Sequence, residues 1–199
     1  MTKTFLHVGC GLKKKDATTK VFNSDAWEEV RLDINALNDP DIVSSMQNMT
    51  SVEDNSFDAV YSSHNIEHLY AYEVIDTLNE FKRVLKDDGF LILTCPDIKP
   101  ICEAIANGKV NQVLYNSKSG PIYPLDVLYG FQKSIAGGDH FMAHKFGFTP
   151  ETLELAIKES NFKSFCVGQS KKTISLWLIA YNNIEVNPET LFNELQQHV

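Results

Sequence analysis

Two glycines one residue apart, Gly9 and Gly11, close the first apolar run of the chain, Phe5-Leu6-His7-Val8. A second run, Arg31-Leu32-Asp33, ends in an acid. These residue types in this order suit a nucleoside. Glycines let backbone N–H groups approach a ligand closely, and a carboxylate about twenty residues further on accepts hydrogen bonds from two ribose hydroxyls. A full dinucleotide fingerprint carries a third glycine three residues after the second. Lys14 stands there instead.

His64, His140 and His144 are candidates for proton transfer, because an unperturbed imidazole titrates near neutrality. His64-Asn65-Ile66-Glu67-His68 also fits the H-x-x-E-H pattern of inverted zinc peptidases. That chemistry needs both histidines on one face of a regular helix and a third ligand from a distant one. The pattern here directly follows a strand. Glu67 and His68 are therefore expected to open the next helix and bond locally, and no metal is expected.

A parallel sheet would place these residues, since α/β sheets bind ligands at the carboxyl ends of their strands. Residues 4–9 read as a buried strand and 29–34 as a second, with a short helix near Ser24–Glu28 between them. Ile42-Val43 begins a short third strand, although the link from the second is brief for a parallel crossover. Phe57–Tyr61 is a fourth, running into Ser62-Ser63-His64. Val74, Ile75, Leu78, Phe81, Val84 and Leu85 recur at three- and four-residue steps and predict a helix over 71–86. Asp87-Asp88-Gly89 should end it with a glycine at positive φ, and Phe90–Thr94 is a fifth strand, closed by Pro96-Asp97.

Residues 98–148 break the alternation and read as a lid or substrate-binding insert. Helices are expected over 101–107, stopped by Gly108, and over 125–135. Tyr115, Tyr123, Tyr129, Phe131 and Phe141 offer stacking surface. Thr149-Pro150 starts a helix to about Ser160, because threonine caps and proline tolerates the first turn. Residues 163–168 and 174–181 form strands joined by a short polar turn, so they should pair antiparallel. Asn187-Pro188 opens a last helix over 188–198, which must dock on the body or on a second copy; a homodimer is thus an expectation. The fold class is α/β, a three-layer Rossmann-like sheet, mostly parallel with a final antiparallel strand, forming one domain over 1–199.

Composition narrows the partners. With 199 residues, 43% hydrophobic and 22% charged, the chain is long enough for one sizeable core. A net charge of −8 disfavours nucleic acid and anionic membranes. Lys13-Lys14-Lys15 reads as a solvated turn. Cys10, Cys95, Cys102 and Cys166 show no C-x-x-C spacing, which suits free thiols in a reducing compartment. No apolar stretch reaches the length of a membrane span, and the first apolar run is too short for a leader. A soluble, cytoplasmic protein is the expectation.

In this order and at these spacings the motifs resemble a class I S-adenosylmethionine-dependent methyltransferase built around a type 11 methyltransferase domain. The resemblance rests on Leu6-His7-Val8-Gly9-Cys10-Gly11, Leu32-Asp33-Ile34, Asn55-Ser56-Phe57-Asp58-Ala59-Val60, His64-Asn65-Ile66-Glu67-His68-Leu69 and Phe81–Leu91. It covers residues 4–97 and the hairpin of 163–181, which is similar to the family's last two strands. It implies S-adenosylmethionine as cofactor. Gly9, Cys10 and Gly11 would pack on its methionine part and ribose. Asp33 would bind the ribose hydroxyls and Ile34 would lie on the adenine face. Ser45, Met46 and Gln47 would flank the adenine, and Ser63 and His64 would lie near the sulfonium and acceptor. His7 belongs to the same pocket, where the family commonly has an acid. Lys13 and Ser45 replace a small residue and an acid. His64 and His140 would serve catalysis. The acceptor would be a small molecule or cell-envelope precursor. The alternative is a methyltransferase-like module that binds or interacts without catalysis. A nicotinamide-dependent enzyme is disfavoured by the missing third glycine and the terminal hairpin.

Overall fold

The computed structural model describes residues 2–117, 119–170, 173–183 and 185–196. The chain opens with β1 (Lys3–Val8), β2 (Trp27–Asp33), β3 (Ile42–Val43) and β4 (Phe57–Ser63), then α1 (Val74–Val84) and β5 (Leu85–Pro96). An insert follows: α2 (Ile98–Ala106), a small hairpin of β6 (Tyr115–Ser117) and β7 (Gly120–Ile122), α3 (Pro124–Tyr129) and α4 (Gln132–Ala136). It closes with α5 (Pro150–Glu159), β8 (Ser164–Gln169), β9 (Ser175–Tyr181) and α6 (Pro188–Gln196).

Seven strands form one sheet in the order β3-β2-β1-β4-β5-β9-β8, and β9 alone runs against its neighbours. Strand order reverses beside β1, which leaves a crevice where β1 and β4 part. Strand alternation sends Leu6, Val8, Val60 and Leu91 to one face, under Leu78 and Phe81 of α1 and Leu153 and Ile157 of α5. Phe5, Tyr61, Ile92 and Ile179 go to the other face, with Phe22, Trp27 and Leu195 of α6. Two layers therefore sandwich the sheet. The second is thin: between β1 and β2 it holds one short 3-10 turn, Lys15–Ala17, and an aromatic cluster. Phe5 stacks on Phe22 at 4.1 Å, and Trp27 meets Phe22 edge-on at 5.0 Å.

That cluster explains why no helix forms at Ser24–Glu28. Trp27 and Glu28 already belong to β2, paired with Lys3 and Thr4 of β1. The predicted helix of 71–86 begins as a 3-10 turn, Ala71–Glu73, and ends at Val84. Leu85 is already extended, so Gly89 sits inside β5 rather than in a helix-ending turn. A Cβ on Gly89 would press to 3.0 Å from the Lys86 carbonyl, and close approach, not positive φ, is what that glycine supplies. The brief β2–β3 link suffices because only Leu32–Ile42 and Asp33–Val43 pair. The helix expected over 125–135 splits at Gly130, where φ is 91° and a Cβ would overlap the Met142 carbonyl. The terminal helix docks on the chain's own sheet, with Phe192 against Gly168. The apolar face that motivated a dimer is thus covered within the chain; residues 197 and 198 of the expected helix lie outside the described residues. All four cysteines are free, Cys10 and Cys95 buried and Cys102 exposed. Among the described residues no helix is long and apolar enough to cross a membrane.

Asp58 fastens the far end of β4. It accepts the Thr4 N–H at 2.8 Å and the Lys86 ammonium at 2.9 Å. Burial pushes its carboxyl up, but these donors outweigh burial and hold it below its ordinary range. A carboxyl depressed in the folded state stabilises above its unfolded pKa, and that contribution is lost as pH falls through the folded one. Urea denaturation should therefore show wild type more stable than Asp58→Asn at neutral pH. The gap should shrink once pH falls below about 4, the ordinary aspartate range.

Candidate functional site

The carboxyl ends of β1, β2 and β4 wall a cavity of about 460 Å³. His7, Gly9, Cys10, Gly11, Asp33, Ile34, Ser45, Met46, Gln47, Ser63, His64 and His140 all line it. A broader hollow of about 520 Å³ near Asp54, Asn79, Arg83 and Asn182 lies away from these residues, around the start of β4 and the end of α1.

Asp33 ends β2 almost fully buried, at 7% exposure. Its Oδ2 accepts the Gly11 N–H at 2.8 Å and its Oδ1 the Asn35 N–H at 2.8 Å. These backbone donors take two of a carboxylate's about four acceptor positions, and the Cys10 thiol donates weakly to Oδ2 at 4.0 Å. Beside it Ile34 is 51% exposed, an apolar face on the cavity with no protein covering it. Ser45 and Gln47 bond to each other at 2.8 Å, and Ser44 N–H reaches the Asp33 carbonyl, tying the β3 exit to the β2 exit. Burial pushes the Cys10 thiol up to about 11, so it stays protonated and inert at neutral pH.

No helix follows the glycines, and two side chains replace its support. Arg31 stands two residues before Asp33. Its guanidinium donates to the carbonyls of Gly11 at 2.6 Å, Lys13 at 3.2 Å, Asn38 at 3.0 Å and Asp39 at 2.6 Å. One planar fork thus ties the glycine loop to the turn after β2. Asn65 holds the other side: its amide donates to the Val8 carbonyl at 3.0 Å and the Ser63 carbonyl at 3.1 Å. Gly9 has φ 62°, and a Cβ there would overlap the Asn65 amide. The pattern of glycines and acid gave no hint of either residue.

His7 lines the cavity, but its imidazole is buried and engaged. Nδ1 lies 2.6 Å from Glu29, and the ring meets Tyr61. Burial lowers its pKa despite Glu29, so the pair is held as a structural contact that also receives the Lys15 N–H. Asp97, also at a strand end, is occupied: it caps α2 and accepts Gln169 at 2.6 Å.

His64 leaves β4 in a left-handed conformation, φ 57°, with its side chain 45% exposed. For a residue with a Cβ that backbone is uncommon and marks a constrained position. Its N–H donates to the Thr94 carbonyl and its Nδ1 lies 3.5 Å from Glu67. Glu67 and His68 do not open a helix. They form a 3-10 turn, Ile66–His68, over which the end of the insert is stitched. Lys145 and Phe146 N–H groups donate to the Glu67 carbonyl, and His68 Nδ1 lies 3.0 Å from the Ala143 carbonyl. The insert thereby brings Asp139, His140, Phe141, Met142 and Lys145 to the cavity. Of the five aromatics singled out in the insert, Phe141 is the one that lines it; Phe131 packs in the insert's own cluster around Ile101, Ile122 and Val127.

Residues 6–93 match the family model described as a methyltransferase domain. No curated protein matches the chain. Among solved structures, a protein from Pyrococcus horikoshii superposes with a TM-score of 0.60 at 15% identity, covering 91% of this chain and 82% of that one. A SAM-dependent methyltransferase from Archaeoglobus fulgidus gives 0.55 at 15% identity, covering 90% and 86%. The Burkholderia thailandensis 1,6-didemethyltoxoflavin-N1-methyltransferase, with bound S-adenosylhomocysteine, gives 0.54 at 12% identity, covering 90% and 70%. Residues 6–93 thus match a methyltransferase domain, and the seven-stranded sheet has the fold of these solved structures.

Proposed function

We propose that the chain transfers the methyl group of S-adenosylmethionine to a small-molecule acceptor held between the glycine loop and residues 139–145. The observation that carries this is Asp33: a buried carboxylate, braced by the Gly11 and Asn35 N–H groups, lining a cavity of about 460 Å³. That volume suits a small ligand. In this reading Asp33 takes the ribose hydroxyls and Ile34 lies on the adenine. Ser45, Met46 and Gln47 border the adenine edge. Gly9–Gly11 leave room for the methionine part, and Ser63 and His64 face the sulfonium.

A sulfonium is already activated, so the enzyme's main task is to hold a nucleophile in line with the methyl carbon. The insert supplies the opposing wall through His140 and Phe141. His64, at the exit of β4, and His140, in the insert, are the two imidazoles proposed to take a proton from an acceptor O–H or N–H. Calorimetry with S-adenosylmethionine and S-adenosylhomocysteine tests the reading. One site per chain is expected. Absence of heat and of any thermal shift at millimolar ligand would overturn it.

A further inference from the structure

Glu67, His68 and His144 each offer one ligand atom, and these atoms lie within 4.8 Å of one another. Glu67 is 2% exposed, yet neither carboxylate oxygen receives a hydrogen bond from any described residue. A buried ionised carboxylate left without donors is costly, and such a group calls for a cation. The nearest titratable side chain, His64, stands off at 3.5 Å.

The two imidazoles are set for the same task. His68 Nδ1 lies 3.0 Å from the Ala143 carbonyl and His144 Nδ1 2.8 Å from the Val127 carbonyl. A carbonyl only accepts, so each Nδ1 carries the hydrogen, and each Nε2 keeps its lone pair. Main-chain carbonyls that orient histidines in this way are the usual outer support of metal-binding rings. The rings lie 4.9 Å apart, nearly perpendicular. They come from two segments that the insert locks together, so the site exists only when residues 143–146 are seated on the turn of Ile66–His68.

We propose that Glu67, His68 and His144 bind a divalent transition-metal ion of the zinc type. Two neutral imidazoles and one carboxylate are a set such ions take, leaving a further position for an exogenous ligand. His68 also lines the cavity, which puts the ion beside the proposed acceptor pocket. Its use rests on the methyl transfer proposed above. An acceptor hydroxyl or thiol bound to the ion loses its proton to water. Its lone pair then forms the bond to the methyl carbon, and the electrons of the breaking S–CH3 bond return to sulfur as a neutral thioether. The metal site itself does not depend on that reading.

Purified full-length protein, stripped with chelator, is titrated with CoCl2 and then ZnCl2. One equivalent of Co2+ should give the visible absorption of a low-coordinate site, which Zn2+ abolishes by displacement. Glu67→Gln and His144→Ala should each weaken Co2+ binding by about a hundredfold or more, while Cys102→Ser, at an exposed thiol, binds as wild type. Should His144→Ala fail to fold, Glu67→Gln and His68→Gln decide. Wild type that takes up no ion, or variants that keep it, would overturn the site. S-adenosylhomocysteine titrations on the same samples separate the two readings: Co2+ uptake without nucleoside binding leaves the metal site standing and removes the methyl-transfer function.

Discussion

Asp33→Ala should abolish measurable binding of S-adenosylmethionine and S-adenosylhomocysteine while leaving a folded protein. Each hydrogen bond from a ribose hydroxyl to a carboxylate is charge-assisted and contributes about 1.5–3 kcal/mol. Losing two removes at least about 3 kcal/mol, more than a hundredfold in affinity. The variant also leaves the Gly11 and Asn35 N–H groups without their acceptor, so the glycine loop loses its brace on the cavity side. Asp33→Asn separates the two effects. An asparagine keeps one oxygen for a backbone donor but loses the charge, so its affinity should fall between wild type and alanine. Calorimetry gives the affinities and circular dichroism confirms the fold. An Asp33→Ala protein that binds like wild type would remove the nucleoside from this end of the sheet. A non-catalytic module would instead keep its biological role in the Asp33→Ala variant.

Gly9→Ala should be the most damaging conservative change in the loop. Its φ of 62° is unfavourable for any residue with a Cβ, at a cost of about 1–2 kcal/mol. The added methyl would also overlap the Asn65 side chain, which is held by the Val8 and Ser63 carbonyls and by Ser62. Moving Asn65 breaks bonds worth about 1 kcal/mol each. Together these put the loss of stability at roughly 2–4 kcal/mol, read by urea denaturation, with cofactor binding lost as well. A double-mutant cycle locates the cause. Asn65→Ala alone destabilises by unpairing two carbonyls, but Gly9→Ala combined with Asn65→Ala should cost clearly less than the sum. Strict additivity would mean that the two residues do not collide.

Much of this site was legible from local pattern. Gly9, Gly11 and Asp33 terminate apolar runs, and strand ends are where a parallel α/β sheet gathers its ligand groups, so their types and order already placed them together. The closing hairpin was readable because its two strands are joined by a turn too short for a crossover. Thr149-Pro150 and Asn187-Pro188 read as helix starts, and their side chains accept the N–H groups of Thr152 and Glu189. Local pattern failed where distant groups compete. Trp27 left the expected helix for an aromatic cluster shared with Phe5 and Phe22. Gly130 divided a helix because the Met142 carbonyl passes over it. The hairpin of β6 and β7 is three residues a side and carries no alternation to read.

What the chain determined by itself is which residues share one edge of the sheet: two glycines, one acid and a histidine at strand ends, each set by its own strand's apolar run. What only the tertiary structure decided is how that edge is held and what lies behind it. Arg31 reaches four carbonyls from two loops, and Asn65 fills the space that Gly9 leaves. Glu67, His68 and His144 converge only because the end of the insert hydrogen-bonds onto the turn after β4. Periodicity reports which face a residue takes along its own segment. It carries no information about which distant segment will be seated against it, and Glu67, buried without a donor, lies on the turn where residues 145 and 146 are seated.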